Sequence, residues 1–195
     1  LVELFKILNL KSFINLNESN YLKEIFNLIL PEFANLKNLD RLKKLNSSKI
    51  NWNLLLAILL IDKDSNHEYF CHKYNVSNNI KDDLNLLAKN LNLLQNKKDF
   101  FTKDIEKHIY LNDKSHLINL NILNFVSNSE YSFKNFSEAM KNILKSKTHK
   151  FDIDGKYLMN KGMREGVMLG KVLGKIEEEW MENDFEISDD RVQEI

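Results

Sequence analysis

Apolar residues recur at intervals of three and four along most of this chain, and strict alternation is nowhere sustained. Leu22, Ile25, Phe26 and Ile29 stand at i, i+3, i+4 and i+7, the spacing that gathers side chains on one face of a helix. Pro31 stops that helix, because the residue before a proline is driven out of helical geometry. Leu36, Leu39 and Leu42 predict a second, shorter helix. Between Ile50 and Ile61 the residues are apolar nearly all round, which predicts a buried helix. Leu84, Leu86, Leu87 and Leu91 stripe a helix beginning near Asn79, and similar patterns cover 100–109, 115–126 and 133–144. The periodicity lapses at 146–150 and resumes with Leu169, Val172, Leu173, Ile176 and Trp180. Seven or eight short helices joined by polar loops predict an all-α fold, an irregular multi-helix bundle.

Glycine breaks this uniformity in one place. Average usage would give a chain of 195 residues roughly 14 glycines and 10 prolines, yet it has five and one. All five, Gly155, Gly162, Gly166, Gly170 and Gly174, fall in one window, and the last four recur every fourth residue. Gly170 and Gly174 lie inside the predicted 169–180 helix, where each costs about 1 kcal/mol relative to alanine. That cost implies a compensating close approach, by a neighbouring helix or by a ligand backbone. Taken by themselves, the two positions point first to helix packing.

The net charge is zero, but the zero conceals a division. Residues 1–150 carry 22 Lys and Arg against 16 Asp and Glu, while 151–195 carry 6 against 12. The late acids begin at Glu177. Within the stretch from Lys141 to Arg164, the bases Lys141, Lys145, Lys147, Lys150, Lys156, Lys161 and Arg164 face only Asp152 and Asp154. A basic band therefore runs into the glycine segment, and screening over about 8 Å makes such local charge count for more than the total. The longest apolar run, 54–61, is far short of the roughly 20 residues that span a bilayer. With one cysteine, Cys71, no intramolecular disulfide forms, which suits a reducing, cytoplasmic setting.

Phe151, Gly155, Lys156, Leu158, Met159, Gly162, Gly166, Gly170, Trp180 and Phe185 together resemble the tail of the class II CCA-adding tRNA nucleotidyltransferases and their bacterial poly(A) polymerase relatives. In that family Gly-Arg/Lys-Asp-Leu is followed by glycines, a Pro-Gly-Pro turn and a helix ending in Trp. Here the segment reads Gly155-Lys156-Tyr157-Leu158, then Gly162, Gly166 between Glu165 and Val167 where the family has prolines, Gly170, and Trp180. Residues 3–8 and 28–32, the latter with Leu30-Pro31-Glu32, resemble the family's neck. The resemblance implies neck-like helices over 1–48, a helical body over 49–147 and a glycine-rich tail over 148–195. It also implies a catalytic head, using Mg²⁺ and CTP or ATP, that these residues do not supply. The apolar neck face of Leu4, Phe5 and Leu8 is then the expected docking surface for a separate head polypeptide.

The side chains themselves support no catalytic or metal assignment. Asp152-Ile153-Asp154 has the spacing of a metal-binding carboxylate pair, yet lacks a phosphate-binding glycine turn before it, and reads as a loop with helix-capping acids. His67, Cys71 and His72 share no tight helical face, and read as a buried cysteine with surface histidines. RNA contact is the better expectation. Lys156, Lys161, Arg164 and Lys171 surround Gly162 and Gly166, where bare backbone admits a sugar–phosphate chain and free N–H groups at a helix start attract an anion. Tyr157 is expected to pack inward. The expected partner is tRNA or another RNA, read through phosphate and shape. A helical protein-interaction module without an RNA role, or a decayed gene fragment, remains the alternative.

Overall fold

The apolar run at the centre of the sequence becomes the centre of the molecule. In the computed structural model, which describes residues 1–45, 50–97 and 99–195 with the side chain of Gln95 excepted, every residue from Leu54 to Ile61 is buried. Three short N-terminal α-helices precede this run, α1 (Val2–Leu8), α2 (Asn20–Ile29) and α3 (Asn38–Leu42), with 3-10 turns over Lys11–Glu18 and Lys43–Leu45. The run itself forms α4 (Trp52–Leu60), opened by Asn51, whose Oδ1 accepts from the Leu54 N–H at 2.9 Å. It is followed by α5 (Asn66–Lys73), α6 (Asn78–Asn96), α7 (Ile105–Asn112), α8 (Lys114–Ser127) and α9 (Phe133–Lys145). Three more helices close the chain, α10 (Gly155–Asn160), α11 (Val167–Glu182) and α12 (Asp189–Glu194). No strand occurs among the described residues, so the fold is all-α as the periodicity predicts. No helix among them is long and apolar enough to cross a membrane.

Helix α8 is the organising element, packing on α3, α4, α6, α7 and α9. Its one fully buried polar side chain, Asn121, donates to the Phe136 carbonyl at 3.0 Å and accepts from the Tyr131 hydroxyl at 3.0 Å. The first bond ties α8 to the antiparallel α9, the second to the turn that precedes it. On the N-terminal side, buried Glu32 accepts from Lys73 Nζ at 2.5 Å, joining the end of α2 to α5. The Glu32 carboxylate holds the Lys73 amine above its ordinary range through that hydrogen bond.

Two expectations fail at identifiable places. Helix α7 starts at Ile105 instead of 100, because Phe100 and Phe101 are buried anchors of a turn that ends with Asp104 in the left-handed region at φ 55°. The face of α1 expected to dock a head polypeptide points the other way. Leu8 is 1% exposed, Leu4 and Phe5 are half-buried against the same core, and the Phe5 ring stacks on Trp52 at 4.4 Å. That apolar stripe is spent on packing within this chain. Helix α2 leaves more apolar surface outside, with Leu28 83% exposed and Tyr21, Leu22 and Ile29 also uncovered. The expected division at 48 lies outside the described residues.

The apolar interior falls into two clusters. One, built from α1 to α9, holds most of the buried residues. A small second cluster of Leu158, Val172, Ile176 and Val192 draws in Phe151, Ile153 and Leu169 and holds α10, α11 and α12 together. Arg191 on α12 reinforces it from outside by clamping Glu179 of α11 with Nε and Nη2, at 2.5 and 3.0 Å. We use body for the first assembly and tail for the second.

Candidate nucleic-acid interface

The tail begins where the backbone leaves α9. Lys114 Nζ donates to the Ser146 carbonyl at 2.7 Å, and the Lys147 N–H donates to Glu106 Oε1 at 2.9 Å. His149 Nε2 lies 2.5 Å from the other oxygen of Glu106, while its ring stacks on Phe185 at 3.8 Å with an interplanar angle of 2°. Trp180 completes the joint, with ring centroids 5.2 Å from Tyr110 on α7, 5.1 Å from Phe151 and 4.9 Å from Phe185. The Tyr110 hydroxyl donates to Glu177 of α11. Burial, and then that bond, push its ionisation up to about 12.

The hydrogen bond from His149, and next the Lys147 N–H, hold the Glu106 carboxyl below the usual carboxylate range. A carboxylate whose folded value is depressed adds stability that is present above its unfolded value, about 4.3, and lost as pH falls through the folded value. Thermal melts from pH 6 down to 3 are therefore expected to show the wild type losing more stability than Glu106→Gln over that interval. Parallel curves would remove Glu106 from the joint's energetics.

Asp154 opens α10, its Oδ1 accepting from the Tyr157 N–H at 2.8 Å. Asp152 instead pairs with Lys150 Nζ at 2.9 Å. The Asp-x-Asp pair is thus a capping residue and a surface ion pair, as its sequence context suggests. Among the described residues no cluster of three His, Cys, Asp or Glu side chains converges to hold a metal. These groups do not fit a catalytic Mg²⁺. Of the other candidate ligands, Cys71 is buried and His72 exposed, as expected. His67 departs from expectation: it is buried, and desolvation lowers its basicity.

Gly162 terminates α10 at φ 100°. The Gly162 N–H donates to the Met159 carbonyl and the Met163 N–H to the Leu158 carbonyl, the paired bonds of a Schellman ending that favours glycine at this site. Gly166, at φ 146°, precedes α11, and no side chain caps that end. A Cβ built on Gly162, Gly166, Gly170 or Gly174 would meet nothing within 4 Å. Only at Gly155 would an added Cβ meet a neighbour, Leu169 Cδ2 at 3.1 Å, a side-chain end that would have to shift by a few tenths of an ångström.

The close helix approach that the spacing suggests for Gly170 and Gly174 is therefore absent. With Val172, Ile176 and Trp180 turned inward, positions 170 and 174 fall on the opposite side of α11 at about 100° per residue, and both are exposed. Lys171 and Lys175 flank them on the same outer face, whereas Glu178 and Glu182 occupy its far end. Lys161, Gly162, Arg164 and Gly166 share the exposed segment between α10 and α11, and Lys156 is exposed on α10. Among the described residues none of these cations enters an ion pair. Lys161 Nζ lies 5.6 Å over the Tyr157 ring, whose hydroxyl donates to Asp189 at 2.6 Å. Tyr157 thus packs inward as expected, and only its outer face is offered to a cation.

The sequence reading missed two neighbours of this surface. Val167 is 79% and Met168 66% exposed in the first turn of α11. They stand just ahead of the 169–180 stripe, and an apolar pair outside that stripe was the signal available.

A family model described as tRNA nucleotidyltransferase domain 2 matches residues 43–191. Neither a curated protein nor a solved structure matches the chain.

Proposed function

This chain belongs to the tRNA nucleotidyltransferase domain 2 family, and we propose that its tail holds tRNA while nucleotide addition takes place on a head domain outside these residues. The observation that carries the reading is the row of glycines with open space above them, flanked by Lys161, Arg164, Lys171 and Lys175. Glycine inside α11 costs helix stability with no packing return. A sugar–phosphate backbone laid against Gly166, Gly170 and Gly174 supplies that return. The uncapped N–H groups after Gly166, at the positive end of a 16-residue helix, suit a phosphate. Recognition in this reading is by shape and charge, as for duplex RNA. CTP or ATP and Mg²⁺ belong to the head, and CCA addition at the tRNA 3′ end or poly(A) addition is the reaction served.

Alanine at Gly170 and Gly174 separates this reading from a purely structural one. Each substitution is expected to stabilise the isolated protein by about 1 kcal/mol, because the new methyl group meets nothing. The same pair is expected to weaken tRNA binding several-fold by holding the backbone off. Higher melting temperature with unchanged tRNA affinity would overturn the proposal.

A further inference from the structure

The body carries a second surface suited to RNA, at the opposite end of α8 from the tail. Helices α8 and α9 run antiparallel for 14 and 13 residues, about 20 Å at 1.5 Å per residue. Lys114, at the start of α8, touches the beginning of the tail, whereas the turn from Ser129 to Phe133 joins the far ends of both helices. That turn is held by Arg41 of α3, which donates to the carbonyls of Ser129 at 3.2 Å and Tyr131 at 2.9 Å. The same guanidinium lies 4.5 Å over the Phe125 ring.

Arg41, Lys44, Phe125, Ser129, Tyr131 and Phe133 line a groove of about 460 Å³, in which no carboxylate takes part among the described residues. Phe133 is 58% exposed at the groove edge, its ring 6.1 Å from Phe125. An exposed aromatic edge alone would suit an apolar peptide. Arg41 and Lys44, without an acid among the lining residues, favour an anionic occupant instead.

We propose that this groove binds one unpaired nucleotide of an RNA, the base stacked on Phe133 and its phosphate beside Lys44. Base–aromatic stacking tolerates any base, since every base has a π-face. Arg41 acts here as a positioning residue, holding the turn that presents Phe133. The inference rests on the RNA role proposed above, but concerns a different surface and a single-stranded rather than a duplex element.

The test uses the full chain and two probes: a whole tRNA, and a single-stranded RNA tetranucleotide carrying 2-aminopurine. Phe133→Leu and Lys44→Glu are each expected to weaken tetranucleotide binding about tenfold, within the range for loss of one stacked base or one phosphate contact. Phe133→Trp is expected to retain binding and base-specific quenching, and circular dichroism melts verify that each variant folds. Tetranucleotide binding that is indifferent to both weakening substitutions overturns the groove while leaving the tail reading intact. Dependence on Phe133, combined with tRNA binding that ignores Lys161 and Arg164, upholds the groove and overturns the tail. A wild-type chain that binds neither probe overturns both.

Discussion

Replacing Trp180 with alanine is expected to release the tail from the body. Trp180 is 7% exposed and meets Tyr110, Phe151 and Phe185, rings supplied by α7, the linker and the turn after α11. Deleting a buried aromatic side chain typically costs about 3–5 kcal/mol. Here the loss falls on a small cluster whose own buried members are Leu158, Val172, Ile176 and Val192. A cluster of that size has little stability in reserve, so the body is expected to stay folded while the tail melts at a lower temperature. Limited proteolysis within residues 146–154, followed with temperature, reads this directly. A single cooperative transition with wild-type resistance to cleavage would show that the tail does not depend on Trp180. Loss of tRNA binding is expected to accompany undocking, and Trp180→Phe should recover part of it.

Charge reversal at Lys161 and Arg164 is the second large effect. Each phosphate contact adds about 0.7 to 0.9 to the slope of log affinity against log salt. Removing two contacts is therefore expected to flatten the slope by roughly 1.5 and to lower tRNA affinity at moderate salt by one to two orders of magnitude. Both side chains are exposed, so folding should be unaffected. An affinity that drops without any change in slope would point to a lost shape contact instead of lost phosphate neutralisation. An unchanged affinity would remove the 161–166 segment from the interface.

The helical body was legible because its signal is redundant. The run from Leu54 to Ile61 and the stripes of α8 and α9 each bury several residues at helical spacing. The short helices α5, α10 and α12 were not legible. Each of these helices of six to eight residues buries few apolar side chains, Phe70 and Cys71 in α5, Leu158 in α10 and Val192 in α12, too few to show a period. Direction was also hidden. Leu4, Phe5 and Leu8 announce an apolar face, but which neighbour covers it depends on Trp52, more than forty residues away.

For the site, residue type and spacing identified the glycine row and its cations. Whether Gly170 and Gly174 lie under another helix is a three-dimensional question, and the answer ran against the expectation drawn from sequence. The Phe133 groove was out of reach for the same reason. Its wall is assembled when Arg41 reaches carbonyls 88 and 90 positions further along the chain.

Helix α2 has ten residues, and not one of them is buried. Isolated helices of this length are marginal in water, and only the half-buried sides of Ile25 and Phe26 attach it to the rest. Its backbone amides are therefore expected to open to deuterium at a lower free energy than those of the buried α4 or α8. Whatever covers Leu28 and Ile29 would slow that exchange selectively, so α2 is a built-in reporter of occupancy on its own face.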